Sequence, residues 1–372
     1  MEFRPSPGSS VGVEWELQLL DPLTLDLVDG IVPLMEYFPS TEFVKPEYIQ
    51  SCVELTSCIA ANSDEAIAHL KGSLDKMLRR CAELEMEVCG AGTHPFCRRL
   101  ALITPLPRYQ RIEKDKGHLA YTQITFSSHV HIGMGSGDEA MRTMSLLIPA
   151  IPAFVALSAN SPFWRGHETG HVAYRHRILA AAPNYGVPPG FENWRSFDRF
   201  LSAALHSGMV QHFKDIHWDI RPNPDFGTLE IRAMDAASDI PTLHGMVAFA
   251  RSMALGLATA RVDELSRILP LDLPYWILKE NCYRAAHLGL EADYIVDEKG
   301  NHRPLRDLVA ELIEFCRPVA AGIDEAAGLK LAENLLTGIP GYKRQLRVYK
   351  EGNSARAVVK ALQCALVDGT QV

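Results

Sequence analysis

The chain has 372 residues, 47% of them hydrophobic and 22% charged, proportions that exclude a disordered, collagenous or coiled-coil protein. A formal net charge of −8 removes any general attraction to nucleic acid or to an anionic membrane and leaves anionic ligands to local sites. This length holds one large or two modest domains, and with no linker, internal repeat or low-complexity block in view, a single domain over 1–372 is expected.

Residues 1–7 contain no apolar core of a secretory signal. The first predicted element, Val11-Gly12-Val13-Glu14-Trp15-Glu16-Leu17-Gln18-Leu19, places apolar residues on the odd positions and Glu14 and Glu16 on the even ones. A strand sends successive side chains to opposite faces, so both carboxylates share one face. Val53-Glu54-Leu55-Thr56 repeats the design with Glu54. Asn62-Ser63-Asp64-Glu65 then reads as a capping box, and apolar residues from Ile67 to Leu84 at three- and four-residue steps predict an amphipathic helix over 64–86. Gly90 to Pro95 reads as a strand end and turn: it echoes a dinucleotide loop, but proline stands where the helix would start. His94 in that turn is open to a structural or a site role.

Ser127 to Gly133 is a third alternating segment, with His129 and His131 on one face and Val130 and Ile132 on the other. A helix over 138–159 is broken by Pro149 and Pro152. Its apolar run, Leu146 to Ala159, is too short to span a bilayer. A helix over 193–207 precedes the fourth alternating segment, Thr228-Leu229-Glu230-Ile231-Arg232, where Glu230 and Arg232 lie together. Helices over 242–268, 276–289, 304–321 and 353–366 complete the reading. The eight cysteines contain no CxxC pair, as expected of free thiols in a reducing cytoplasm. Cys52 shares the parity of Glu54, which leaves a redox-sensitive site and a sheet-filling thiol both open.

Any half-exposed antiparallel strand alternates. A wet face, however, ordinarily mixes lysine, threonine, serine and glutamate, whereas these four faces carry glutamate, histidine and arginine. If the strands pair in one sheet, the glutamates converge, and two like charges about 4 Å apart repel by roughly 4 kcal/mol at an effective dielectric near 20. A cation must offset that repulsion. Carboxylate oxygens favour Mg²⁺ or Mn²⁺, and a histidine nitrogen tilts one site towards Mn²⁺. Several divalent ions in one cleft suit a nucleoside triphosphate, here held without a GxxxxGK[ST] loop. Arg165, Arg175 and Arg177 suit an acidic substrate beside the nucleotide. Arg232, sharing a face with Glu230, suits a transferring phosphoryl group.

At these residues the chain resembles the type 2 glutamate–cysteine ligases, or carboxylate–amine ligases, of the glutamine synthetase superfamily. The matching pieces, in family order, are VGVEWELQLLDP (11–22), QSCVELTS (50–57), GTHPF (92–96), PRYQ (107–110), HVHIG (129–133), LSANSPFWRGHETG (157–170), YRHR (174–177), WDIRPNPDFGTLEIRAMDA (218–236) and EN-x-YRAA (280–286). The resemblance implies an α+β fold, glutamine synthetase-like, with a curved antiparallel sheet, helices packed on its outer face, and ATP and metal on its concave face. It also implies amide formation by way of an acyl phosphate. Carried over residue by residue, it makes Glu14, Glu16, Glu54, His129 and Glu230 metal ligands for Mg²⁺ or Mn²⁺, His131 a phosphate contact and Arg232 the phosphate-facing arginine. Arg165, Arg175 and Arg177 become grips for substrate carboxylates. Trp15 stands where many relatives have a third glutamate, and parity assigns it to the apolar face. Ser127-Ser128 precedes HVHIG where a Cys-Gly or similar pair is common.

The expected substrates are therefore glutamate, ATP and an amine such as cysteine, handled by a cytoplasmic homo-oligomer that engages neither nucleic acid nor membrane. Two other readings stay open at this point. One keeps the ligase chemistry with a non-cysteine amine; the other is a metal-dependent hydrolase using the HxH pair, which expects a parallel βα barrel.

Overall fold

The computed structural model describes all residues except 7, 40–42, 183, 260–264 and 370–372. Its centre is a seven-stranded antiparallel sheet of β1 (Val11–Leu20), β2 (Val44–Pro46), β3 (Cys52–Thr56), β4 (Glu87–Cys89), β5 (Ser127–Gly133), β6 (Ile220–Asn223) and β7 (Thr228–Asp235). The order is β6-β7-β5-β1-β3-β2, with β4 also paired to β1. All four alternating segments are thus strands of one sheet, and they are consecutive neighbours in it: β7, β5, β1 and β3. Every pairing in it is antiparallel. That excludes the parallel barrel which the hydrolase reading requires.

The apolar parity of these strands is the core. Val11, Val13, Trp15, Leu17 and Leu19 are buried, as are Val53, Leu55, Val130, Ile132, Leu229 and Ile231. Trp15 is 0% exposed and its Nε1 donates to the Ala237 carbonyl at 3.1 Å. The aromatic departure therefore takes nothing from the polar face. Helices cover the apolar face: α1 (Ser63–Glu83) against β1 and β3, α3 (Gly137–Leu147) against β6 and β7, α4 (Ile151–Ser158) against β7, and α7 (Ile240–Thr259) against β5. Between α1 and α3 runs α2 (Pro107–Lys116), and between α4 and α7 run α5 (Tyr174–Leu179) and α6 (Trp194–His206). Further helices towards the C-terminus are α8 (Tyr275–Leu288), α9 (Leu305–Gly322), α10 (Ala326–Thr337), α11 (Gly341–Gly352) and α12 (Ala355–Asp368).

Local chemistry accounts for the boundaries. The Asn62 side chain accepts from the Glu65 amide at 2.9 Å, but the Glu65 carboxylate accepts from Ala61 rather than Asn62, a shifted form of the expected box. Pro149 and Pro152 cannot donate amide hydrogens, so the apolar run splits into α3, a 3₁₀ turn at Ile148–Ala150 and α4. Its most apolar window is 83% buried inside the protein and forms part of the core. The helix read over 242–268 is α7 as far as Thr259, and residues 260–264 of it lie outside the described residues. Among the described residues six helices were not anticipated: α2, α5, α10, α11 and the five-residue helices Ile31–Met35 and His118–Thr122. Glycines and prolines at 328, 338, 340 and 341 punctuate α10 and α11, and α5 is only 6 residues long.

Candidate functional site

The polar parity of the sheet forms the floor of a cavity of about 320 Å³. Register explains the convergence: Glu14 is the cross-strand partner of His129, Glu16 of Glu54, and Glu230 of both His131 and Arg221. A bulge between Ile231 and Met234 lets β7 leave the β5 register just after Glu230. Glu14, Glu16, Glu54, His129, His131, Arg175, Glu230 and Arg232 all line this one cavity.

Two groups of three donors stand out. Ligand atoms of Glu14, His131 and Glu230 lie within 4.8 Å of one another, and so do those of Glu16, Glu47 and Glu54. Glu47 is the residue that strand parity missed, because it follows β2 in a loop, where alternation carries no information. Its position is fixed from outside the sheet: its carbonyl accepts from Thr104 Oγ1 at 2.5 Å and its carboxylate from the Tyr48 amide at 2.8 Å.

The second group is electrostatically frustrated. Burial pushes Glu16 up to about 7, with the charge of Glu47 adding to it, while Arg175 and the Ser127 amide hydrogen bond at 2.6 Å oppose the shift. Burial and the neighbouring Glu14 and Glu47 push Glu54 well above the usual carboxylate range, and Glu47 is raised too, again first by burial. Protein groups leave this set short of positive charge. An all-carboxylate set short of compensation fits a hard divalent cation such as Mg²⁺.

The first group is better compensated. Burial works to raise Glu14, but the nearby His131 and the hydrogen bond of His129 hold it well below the ordinary value. His129 Nδ1 lies 3.0 Å from Glu14 Oε2, while its Nε2 is buried without a partner. Burial, with Arg232, lowers His129 to about 4, so the ring is neutral and that nitrogen is free to act as a ligand. His131 Nδ1 is 3.0 Å from Thr228 Oγ1, and its Nε2 is 3.3 Å from Glu14 Oε1 without hydrogen-bond geometry. The mixed oxygen and nitrogen set fits Mg²⁺ or Mn²⁺.

Glu230, 1% exposed, is gripped by two arginines. Its Oε2 accepts from Arg221 Nε at 3.1 Å and Nη2 at 2.6 Å, and its Oε1 accepts from Arg232. Against the effect of burial, Arg221 and then Arg232 depress its pKa. Arg221 Nη1 also donates to the Lys214 and Ile216 carbonyls at 3.0 and 2.9 Å, which fixes the guanidinium in place. Alternation in Ile220-Arg221-Pro222-Asn223 would have flagged Arg221, but a proline within a four-residue strand weakens that signal.

Of the three further arginines, only Arg175 reaches the cavity. It is buried on α5, with Nη2 3.3 Å from the Arg232 carbonyl and Nε lacking a partner. Arg165 and Arg177 lie outside the lining, contrary to expectation. Arg165 exchanges hydrogen bonds with Arg98 at 2.8 and 3.0 Å, and Arg177 sits 5.0 Å over the ring of Tyr283. Other cationic groups that line the cavity are Lys45, Arg108, Lys116 and Lys214. Neither the loop position of Arg165 nor the helical position of Arg177 on α5 reveals the direction of a long arginine side chain.

The glycine-rich turn serves packing. A Cβ on Gly90 would stand 2.1 Å from the Ala237 carbonyl oxygen, and one on Gly92 2.5 Å from Asp235 Cγ. His94 is 1% exposed and faces Leu25 O at 3.0 Å, with its other nitrogen accepting the amide of Cys97 at 3.0 Å. Ser127 and Ser128, the altered entry to β5, serve as donor to Glu16 and acceptor from the Ala237 amide. Cys52 lines the cavity and is buried, its thiol driven well up by burial and by Glu16.

Comparison with known proteins adds an independent line. The family model described as Glutamate-cysteine ligase family 2 matches residues 10–361. A protein of Trichormus variabilis, whose name places it with the type 2 glutamate–cysteine ligases, is 41% identical over 362 residues, covering 97% of this chain and 94% of its own. Among solved structures, the glutamate–cysteine ligase of Francisella tularensis in complex with AMP superimposes with a TM-score of 0.69 at 11% identity, over 98% of this chain and 89% of that one. A bifunctional glutathione synthetase from Pasteurella multocida gives 0.66 at 12% identity, over 95% of this chain and 51% of that one. The two structures share the fold.

Proposed function

The chain belongs to glutamate–cysteine ligase family 2, a family of ATP-dependent carboxylate–amine ligases, and from that premise we propose that it joins the γ-carboxylate of glutamate to cysteine or a related amine through an acyl phosphate. The observation that carries this reading is the pair of three-donor groups, Glu14–His131–Glu230 and Glu16–Glu47–Glu54, in one arginine-flanked cavity. Residues 1–372 would act as one catalytic unit.

A carboxylate and an amine do not condense at neutral pH because the carboxylate is a poor electrophile and oxide a poor leaving group. Transfer of the γ-phosphoryl group of ATP to a γ-carboxylate oxygen of glutamate releases ADP and makes that oxygen part of a good leaving group. The amine nitrogen then bonds to the acyl carbon, the carbon–oxygen bond to phosphate breaks, and the nitrogen gives up a proton. Divalent cations held by the two donor groups, with His129 beside them, would screen the phosphate oxygens. Arg232 supplies a guanidinium at the cavity wall for the charge on the transferring group, oriented by its bond to Glu230. Arg221 holds Glu230 from the opposite side and keeps that carboxylate ionised. Arg175 offers an unpartnered Nε to a substrate carboxylate.

The test is ADP release with Mg²⁺, ATP and glutamate across a panel of amines, with Glu14→Gln and Arg232→Ala as controls. Glutamate- and amine-dependent turnover that both variants lose supports the reading, and the best amine selects the acceptor. Glutamate labelled with ¹⁸O in its γ-carboxylate should deliver one labelled oxygen to the released phosphate. Unlabelled phosphate, or release of AMP in place of ADP, would exclude the acyl phosphate.

A further inference from the structure

We propose that the part of the cavity around Lys116 is a subsite for the carboxylate of an amino-acid substrate, an assignment that rests on the ligase reading above. Lys116 ends α2, and its ammonium donates to Gln123 Oε1 at 2.9 Å and towards Tyr185 OH at 3.5 Å. It stands 5.5 Å from the centre of the Tyr48 ring and 5.2 Å from that of Tyr185. Among the described residues Lys116 forms no ion pair. Because Gln123 spends its carbonyl oxygen on Lys116, its Nε2 is left over, and that atom is buried with no partner. The Tyr48 hydroxyl is likewise buried with no partner.

Lys116, Gln123 and Tyr48 all line the cavity. An ammonium, an amide NH₂ and a phenol therefore converge on one region where the protein provides no acceptor for two of them. Leaving buried donors unsatisfied is costly, and the complement of three donors is an anionic oxygen group. One full positive charge and two neutral donors match the single charge of a carboxylate. The higher charge of a polyphosphate is served elsewhere, by Arg232 and by the cations that the acidic groups fit. The tyrosine rings also exclude water, which strengthens a bidentate, singly charged contact.

The carboxylate can come from the α-position of glutamate or from an amino-acid acceptor, and kinetics separate the two. Lys116→Met should raise the KM of whichever substrate docks there by about 10- to 100-fold, the range for a hydrogen bond to a charged group, and leave the KM for ATP unchanged. Lys116→Arg should recover part of the loss, and the milder Tyr48→Phe should move the same constant in the same direction. A rise in the glutamate KM identifies the donor. A rise for cysteine, with loss of the wild-type preference for cysteine over cysteamine, identifies the acceptor. A change confined to ATP, or no change in any KM, overturns the proposal.

Direct binding keeps the test independent of turnover. Titration of glutamate and of cysteine into the wild-type protein, Lys116→Met and Tyr48→Phe, each with Mg²⁺ and a non-hydrolysable ATP analogue, should show weaker amino-acid binding in both variants. Equal affinity in all three, or no amino-acid binding to the wild type, overturns the subsite. An inactive wild type that still binds an amino acid through Lys116 counts against the ligase reading alone. Should Lys116→Met fail to fold by its melting curve, Tyr48→Phe decides.

Discussion

Glu16 and Glu54 are directly paired across β1 and β3, two carboxylates facing each other in the register where a sheet would ordinarily place opposite charges or apolar contacts. With Glu47 joining them, the arrangement is unfavourable for the bare protein and favourable for a cation complex. Stability and ligand occupancy are therefore linked at this point.

The first prediction follows from Glu16. Its folded pKa of about 7 lies above the ordinary 4.5, so the folded state binds the proton more tightly than the unfolded state. In EDTA, the protein should lose stability as pH rises from about 4.5 to about 7, by about 3 kcal/mol from this group. Urea unfolding across that range should show the slope, Glu16→Gln should flatten it, and saturating Mg²⁺ should flatten it as well. A slope unaffected by either change would contradict the assignment.

His94 should act with the opposite sign. Burial lowers it to about 4, so its neutral form stabilises the fold fully above the unfolded value of 6.5, and that contribution is lost as pH falls through 4. His94→Ala should cost about 2–3 kcal/mol at neutral pH, because it strands the Leu25 carbonyl and two amides. The kcat of the folded variant should equal that of the wild type, which a site residue could not show.

The two arginines on Glu230 should separate stability from catalysis. Arg221→Met leaves a fully buried carboxylate with one partner and should destabilise by about 3–5 kcal/mol in denaturant titrations. Adding Glu230→Gln should recover part of that loss in a double-mutant cycle. Arg232→Ala keeps the Arg221 pair and should cost less stability while lowering kcat by about 10²–10³-fold.

Two glycines should respond in opposite directions. Gly90→Ala forces a methyl group into backbone at Ala237, behind the floor of the site, and should cost about 3 kcal/mol or more. Gly72→Ala, on the exposed side of α1 with nothing within 4 Å of its added Cβ, should stabilise by about 1 kcal/mol. Calorimetry of both variants checks the pair.

The floor of the site was legible because strand alternation converts residue order directly into a face. Glu14, Glu16, Glu54, His129, His131, Glu230 and Arg232 needed only parity and the pairing of their strands. Glu47 was hidden because loops have no parity. Arg165 and Arg177 stand outside the cavity lining because the length of an arginine side chain exceeds what its backbone position, loop or helix, constrains. The gap at Lys116 and Gln123 has another origin: their proximity comes from two short helices that fold against one another, a relation that local pattern does not encode. Helices α3 and α4 were legible to the residue pair that splits them, whereas α10 and α11 were obscured by the glycines and prolines around them.

The central position of β1 has a consequence for biosynthesis. Its 10 residues emerge from the ribosome early, yet one edge waits for β5 at residues 127–133, and Trp15 waits for its acceptor at Ala237. Until β5 has been made, an apolar strand with an open edge is exposed to other nascent chains. The carboxylates on its other face give no protection along that edge. Expression at low temperature or with a holdase chaperone should therefore raise the soluble yield more than any substitution at the surface of the finished protein.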